Sequence, residues 1–118
     1  MKKENVVREK SFRFAIRIIR LYQYLKDRQK EYVLSKQLLR SGTSVGANIR
    51  EADNAESKAD FIHKMGIAQK EVDETMYWLE LLKETDYLLE NEFVSIHKDA
   101  DELLKLIRSI IITAKANR

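Results

Sequence analysis

The fold is decided by one stretch, Ser35-Lys-Gln-Leu-Leu-Arg-Ser-Gly-Thr-Ser-Val-Gly-Ala-Asn-Ile-Arg-Glu-Ala52. At about 100° per residue, one face of this stretch carries small and apolar side chains with one amide among them. The face consists of Leu34, Leu38, Ser41, Val45, Asn48 and Ala52, with Leu39, Gly42, Gly46 and Ile49 beside it. A glycine inside a helix costs about 1 kcal/mol relative to alanine. We therefore predict a helix that another helix backbone approaches closely at Gly42 and Gly46.

Residues 41–46, Ser-Gly-Thr-Ser-Val-Gly, also fit a loop, because glycine and serine cluster there. The helical spacing of apolar residues runs through them without a break in phase, and this favours the helix. A phosphate-binding loop is excluded, because the glycine spacing and the Lys-Ser/Thr pair of that motif are missing.

The composition of the 118 residues favours long helices. There is no proline, only three glycines are present, and 44% of the residues are apolar and 35% charged. No short window alternates between apolar and polar residues as a strand would. The absence of cysteine excludes a disulfide framework and thiolate metal sites, and it fits a reducing cytoplasm. Without an apolar membrane span or signal segment, we expect a cytoplasmic protein that has no membrane partner.

The apolar spacing predicts one domain, residues 1–118, folded as an all-α, antiparallel up-down-up-down four-helix bundle. The predicted helices cover about residues 11–27, 32–55, 58–87 and 91–116. Three of them begin at residues suited to cap a helix N-terminus, namely Ser11, Ser57 and Asn91. The charged connector Asp27–Glu31 joins the first two helices.

The first helix carries apolar side chains over an arc of roughly 220°, whereas a surface helix needs a stripe of about 100°. Either this helix is central in its own bundle, or part of the arc meets another subunit.

The charges divide unevenly along the chain. Residues 1–50 carry 13 Lys and Arg against 4 Asp and Glu, whereas residues 51–118 carry 9 against 15. The two halves can attract each other within the bundle or between subunits. Alternatively, the basic half binds a polyanion through phosphate contacts. The candidate nucleic-acid contacts on the outer faces of the first two helices are Arg13, Arg17, Arg20, Lys36, Arg40 and Arg50. Tyr24 and Trp78 fit either as base-stacking or as packing aromatics.

A polar network is predicted between the second and third helices. Asn48 lies on the inner face of one, and carboxylates interrupt the middle of the other. Buried polar groups need partners, because an unsatisfied one costs about 1–3 kcal/mol. The proposed members, which would fix the register and the oligomeric state, are Ser41, Ser44, Asn48, Glu71, Glu74 and Thr75. The alternative is that the carboxylates are solvated at the surface.

No catalytic constellation is found in the sequence. Di-metal bundles need a Glu-x-x-His motif on each of two helices, and Asp60-x-x-His63 is the one similar spacing here, since Val94 precedes His97. No Ser/His/Asp or Cys/His nucleophile set can be assembled. We therefore predict that the protein is not an enzyme and has no metal and no cofactor.

Two segments resemble a known family. They are Gln37-Leu-Leu-Arg-Ser-Gly-Thr-Ser-Val-Gly-Ala-Asn-Ile-Arg-Glu-Ala52 and Ile67-Ala-Gln-Lys-Glu-Val-Asp-Glu-Thr-Met-Tyr-Trp-Leu-Glu-Leu-Leu82. From Phe12 to the last helix, the chain is similar to the bacterial four-helix bundle proteins first found encoded in intervening sequences of 23S ribosomal RNA genes. The resemblance implies a left-handed antiparallel bundle that assembles into a homopentamer and has no known catalytic activity. A related branch, the accessory variability proteins of diversity-generating retroelements, binds nucleic acid and its reverse transcriptase.

Two functions remain open from the sequence. The first is a non-enzymatic oligomeric scaffold that binds RNA or DNA through its basic faces. The second is a protein-interaction module for a nucleic-acid enzyme such as a reverse transcriptase, in which the charge asymmetry serves assembly. The salt dependence of binding separates them, because phosphate contacts release counterions.

Overall fold

The computed structural model describes residues 2–117, which fold as four α-helices. These are α1 (Lys3–Asp27), α2 (Leu34–Asp53), α3 (Lys58–Glu84) and α4 (Glu90–Ala116). Each helix packs against its neighbours in sequence, and α1 also packs against α4, so that the four helices surround one core. The described part of the chain contains no strand. The prediction of an all-α four-helix bundle is confirmed.

Neighbouring helices run antiparallel throughout the bundle. In every neighbouring pair, contacts between side chains pair rising residue numbers on one helix with falling numbers on the other. The contacts are Arg8–Asp53 and Ile18–Gly42 between α1 and α2, Arg40–Glu74 and Glu51–Lys64 between α2 and α3, Lys83–Glu90 and Glu80–His97 between α3 and α4, and Lys10–Glu102 and Arg17–Asp99 between α1 and α4. The topology is therefore up-down-up-down.

The first helix begins much earlier than the sequence predicted. Ser11 is not an N-cap but an interior residue of α1, 1% exposed, whose hydroxyl donates to the carbonyl of Arg8 at 2.9 Å. The charged segment before it is helical because Val7 reaches the core and Arg8 pairs with Asp53 of α2. These two contacts are too sparse to show as apolar periodicity in the sequence.

Of the caps predicted for the last two helices, one is correct and one is wrong. Ser57 caps α3 as predicted, accepting from the backbone N–H of Asp60 at 3.0 Å. Asn91 was wrongly predicted as a cap, because α4 begins at Glu90 and Asn91 is already in its first turn. There, Glu92 Oε1 accepts from the backbone N–H of Leu89 at 3.0 Å, so a side chain beyond Asn91 satisfies the helix start.

The core runs along the bundle axis and is formed by all four helices. Its fully buried side chains include Ile18 of α1, Leu38 of α2, Leu79 of α3 and Ile107 of α4, each 0% exposed. Among residues 2–117, no helix is long and apolar enough to cross a membrane.

Candidate nucleic-acid interface

The two glycines of α2 face α1. A Cβ atom added at Gly42 would lie only 2.7 Å from Cγ2 and 2.8 Å from Cγ1 of Ile18, closer than carbon atoms approach without contact strain. At Gly46 a Cβ atom would lie 3.4 Å from Ser11 Oγ, which is an ordinary contact. Close approach of α1 therefore requires glycine at position 42 and leaves room for a methyl group at position 46.

Two of the predicted polar-network residues meet in the core between α2 and α3. Thr75 Oγ1 lies 2.9 Å from Ser41 Oγ and 2.7 Å from the carbonyl oxygen of Glu71, and both hydroxyl side chains are buried. Ser41 Oγ also lies 3.3 Å from the carbonyl oxygen of Leu38. The two hydroxyls thus satisfy each other and the backbone inside an otherwise apolar layer.

The two network carboxylates bind Arg40 of α2, which the sequence had placed on an outer face. The Arg40 guanidinium lies 2.6 Å from Glu74 Oε1 and 3.8 Å from Glu71 Oε1. Trp78 Nε1 also donates to Glu74 Oε1, at 3.3 Å. The Trp78 side chain is partly buried against the core, so this aromatic packs within the bundle. The hydrogen bond that Arg40 donates to Glu74, followed by the charges of Glu74 and Glu71, holds the pKa of Arg40 above its ordinary value.

Glu71 is the least well hydrogen-bonded member of this group. Its Oε2 atom is buried and has no hydrogen-bond partner within residues 2–117. Burial raises the pKa of Glu71; the charge of Arg40 partly opposes this shift and that of Glu74 adds to it. One oxygen of the carboxylate is therefore removed from water without a hydrogen bond, and the charge of Arg40 compensates only in part.

Asn48 and Ser44 make their hydrogen bonds inside α2. Asn48 Nδ2 donates to the carbonyl of Ser44 at 2.9 Å, and Ser44 Oγ donates to the carbonyl of Arg40 at 2.6 Å. The structure thus does not bring these two side chains into hydrogen-bond contact with α3. Sequence periodicity placed them near the inner face, but half-buried positions at its border let them bond to their own helix.

The six candidate phosphate-binding cations divide into two groups. Arg13, Arg17 and Arg40 already pair with carboxylates: Arg13 with Glu9 at 2.6 Å, Arg17 with Asp99 at 2.5 Å, and Arg40 as above. Arg20 and Lys36 are exposed and have no ion pair within the described residues. The Arg50 guanidinium lies 5.5 Å from the ring centroid of Phe12 and is otherwise open to solvent. Arg20, Lys36 and Arg50 are hereafter called the free cations.

An apolar stripe lies on the outer side of α1, beside Arg50. Phe12, Ile16 and Ile19 follow one another at helical spacing and are 53%, 39% and 38% exposed. These side chains belong to the wide apolar arc that the sequence showed, and the chain's own bundle leaves them largely uncovered. We call these three residues the α1 stripe.

Sequence reasoning missed Glu31, the one acidic residue among residues 2–117 that is buried. Its carboxylate accepts from the backbone N–H groups of Val33, Leu34 and Ser35 at 3.0, 2.7 and 2.7 Å, and so caps α2. Burial by itself would raise the pKa of Glu31, but the hydrogen bonds from Ser35, Leu34 and Val33 together outweigh it and hold the pKa below its ordinary value. The sequence signal for this cap was an acidic residue three positions before the start of α2 at Leu34. The sequence analysis assigned that residue to a charged connector.

The side chains that could hold a metal ion are scattered. Within residues 2–117, no group of three or more His, Asp or Glu side chains comes together. His97 Nε2 lies 3.7 Å from Glu80 Oε2, an ion pair between α3 and α4 when the imidazole is protonated.

Comparison with known proteins gives one family and a close structural relative. The family model described as 23S rRNA-intervening sequence protein matches residues 3–109. A crystal structure of a protein of unknown function from the S23 ribosomal protein family of Bacteroides thetaiotaomicron is similar over 93% of this chain and 98% of that one. The two share 57% sequence identity and superpose with a TM-score of 0.93. No curated protein matches the chain.

Proposed function

Since the chain belongs to the family of 23S rRNA-intervening sequence proteins, we propose that it is a non-enzymatic, self-associating scaffold of the bacterial cytoplasm that binds RNA or DNA. The binding surface consists of the free cations on the outer sides of α1 and α2. The stoichiometry that the family resemblance implies is a homopentamer.

One observation carries this proposal: an uncovered apolar surface and a cation without a carboxylate partner lie side by side. Phe12 of the α1 stripe is about half exposed, and Arg50 of α2 rests over its ring. Burying the α1 stripe in a contact between copies would remove apolar surface from water at roughly 25 cal/mol per Å². Repetition of the free cations around an oligomer would turn weak single contacts into a multivalent surface.

The ion pairs of the bundle favour a second candidate. Arg8, Lys10, Arg17 and Arg40 of the basic half all pair with carboxylates of the acidic half. Much of the charge asymmetry is thus used inside one chain. These paired cations are less available to phosphate groups, and this favours the protein-interaction alternative, in which the charges serve assembly and the partner is a nucleic-acid enzyme such as a reverse transcriptase.

Fluorescence-anisotropy titrations of RNA and DNA at several salt concentrations test the first candidate. The test variant is Arg20→Gln/Lys36→Gln/Arg50→Gln. The matched control, Arg13→Gln/Arg17→Gln/Arg40→Gln, removes the same charge from paired cations. Each lost phosphate contact lowers the slope of log affinity against log salt by about 0.7 for single strands and about 0.9 for duplex DNA. We expect the test variant to reduce the magnitude of the slope by about 2 for single strands and about 3 for duplex DNA, and the control to reduce it by less.

Two outcomes would contradict the nucleic-acid proposal. Equal losses in both variants would show that net charge, and not the free cations, determines binding. Absence of wild-type binding at low salt would reject nucleic-acid binding, and co-purification with a partner enzyme would then test the second candidate.

Self-association is tested by sedimentation velocity of Ile16→Glu against Lys70→Glu. The second variant places a glutamate on an exposed position of α3 and also removes a positive charge, so it changes the net charge more than Ile16→Glu does. We expect the first to dissociate the assembly and the second to leave it intact. A monomeric wild-type protein would refute this part of the proposal.

A further inference from the structure

An open groove lies between α1 and the first turns of α4. The volume of the groove is about 490 Å³, within the range of roughly 300–1,000 Å³ that is typical of small-molecule sites. Its apolar floor is formed by Leu21 of α1, Leu88 just before α4 and Ile96 of α4. Leu88 and Ile96 are almost fully buried, so this floor is a fixed part of the core surface.

One wall of the groove is the ring of Tyr24, which is 40% exposed. Its hydroxyl accepts a hydrogen bond from Gln29 Nε2 at 2.8 Å. This bond restrains the ring beside the groove, so less conformational entropy is lost when a planar group stacks on it. We call this cavity the Tyr24 groove.

The rim of the Tyr24 groove is polar and contains one available cation. Arg17 is held by Asp99 and by the Ser95 hydroxyl, and Glu92 accepts from the N–H of Leu89. The Arg20 guanidinium and the Asn91 amide also line the groove, and neither has a side-chain partner within the described residues. The site therefore offers an aromatic face, an apolar floor, an amide that can donate and accept, and one positive charge.

These groups match the chemistry of a single nucleotide unit. A flat base can stack on an aromatic side chain, its edge can bond to an amide or hydroxyl, and its phosphate can pair with arginine. A base within a duplex is already stacked and paired, so it cannot enter such a groove without being flipped out.

We propose that the Tyr24 groove binds one unstacked base of a single-stranded RNA or DNA, with the adjoining phosphate at Arg20. The inference rests on the proposed nucleic-acid binding and deepens it, because it names single strands as the preferred class.

The test compares a fluorescein-labelled oligoadenylate with an RNA duplex of equal length, using Tyr24→Ala, Tyr24→Phe and a control, Tyr77→Ala. Tyr77 lies on α3, outside the groove, and is 54% exposed. Base stacking on an aromatic side chain predicts that Tyr24→Ala weakens single-strand binding roughly 5- to 150-fold. We expect duplex affinity to change less than about twofold, since only the stacking term is removed. Tyr24→Phe keeps the ring and should retain most of the single-strand affinity, and Tyr77→Ala should bind as the wild type does.

The outcomes separate this inference from the function on which it rests. If Tyr24→Ala binds the single strand as tightly as wild type does, or loses single-strand and duplex binding equally, the groove is not a base site, whereas nucleic-acid binding itself stands. If the wild type binds neither probe at low salt, the proposed function fails. Circular dichroism of each variant verifies that the helices are intact.

Discussion

Helix α1 meets its two neighbours in opposite ways. Against α2 it packs at van der Waals distance, because Gly42 admits the Ile18 side chain. Against α4 it makes the sparsest of the four interhelical contacts. That interface is crossed at its surface by the pairs Lys10–Glu102 and Arg17–Asp99, and the Tyr24 groove opens between the two helices. We infer that the α1–α2 interface contributes stability, while the looser α1–α4 interface leaves surface available for binding.

The largest effect is expected at Gly42. The Gly42→Ala substitution places a Cβ atom against Ile18, and overpacking of this kind costs about 1–3 kcal/mol. Urea unfolding monitored by circular dichroism measures the change. A stability equal to that of the wild type would mean that α1 can move away from α2, and the contrast between the two interfaces would be lost.

Two other glycines provide matched controls for that experiment. Apart from the neighbouring backbone of α3, no atom of residues 2–117 lies within 4 Å of a Cβ added at Gly66, so Gly66→Ala should gain roughly 0.5–1 kcal/mol from helix propensity. Gly46→Ala should lie between the two, because its new methyl group makes ordinary contact with Ser11.

The next effect concerns the caps of α2 and α4. Glu31 satisfies three N–H groups, whereas the exposed Glu92 satisfies one. Loss of a helix cap costs about 0.5–2 kcal/mol, and we expect Glu31→Gln near the upper end and Glu92→Gln near the lower end. Thermal unfolding at pH 7 measures both. Equal costs would show that burial adds nothing to the Glu31 cap.

The Glu31 contribution should depend on pH with a defined sign. Its pKa in the folded state lies below the ordinary value of 4.5, so its stabilisation is complete above that pH and is lost as the pH falls through the folded-state pKa. The difference between wild type and Glu31→Gln should therefore shrink on acidification. The contribution of Glu71 to stability changes with pH in the opposite direction, because its pKa is raised in the folded state. Its protonation favours the folded state as the pH falls toward 4.5. A Glu71→Gln background separates the two contributions.

The smallest effect is expected at the α1–α4 interface. Asp99→Asn removes the partner of Arg17 in a pair whose side chains are both about 40% exposed. Exposed ion pairs contribute about 0–1 kcal/mol, and salt screens them. Unfolding at low and high salt should therefore show a small cost that decreases as salt is added. A cost as large as that of Gly42→Ala would show that the two interfaces are equally important for stability.

The fold could be predicted because apolar periodicity alone specifies four helices and their inner faces. Periodicity could not place the start of α1, where one core residue, Val7, and polar contacts such as the Arg8–Asp53 and Lys10–Glu102 pairs anchor a charged segment. It also could not assign the cap at Glu31, because a buried carboxylate and a solvated one look alike in a sequence.

The sequence indicated which residues could form the candidate sites, but not which residues each of them would contact. Ser41 and Thr75 share a facing position across an antiparallel pair, so spacing was sufficient to bring them together. Arg40 is long enough to reach Glu74 from an outer position, and this reach depends on the distance between helices. The pairing of Arg17 with Asp99 also depends on the distance between two helices, and the two residues lie far apart along the chain, so the sequence did not predict it.

The sparse α1–α4 interface is also the one that no connector spans. Lys3 donates to Ser109, and Lys3 and Asn117 line the same cavity, so the start of α1 and the end of α4 lie side by side. Lys58, which follows the connector of residues 54–57, lines this cavity too, so the connector lies at the same end of the bundle. A circular permutant could therefore join α4 to α1 by a short linker and open the chain between α2 and α3. In that protein α4 and α1 would be neighbours in sequence, and the close packing of α1 against α2 would be retained.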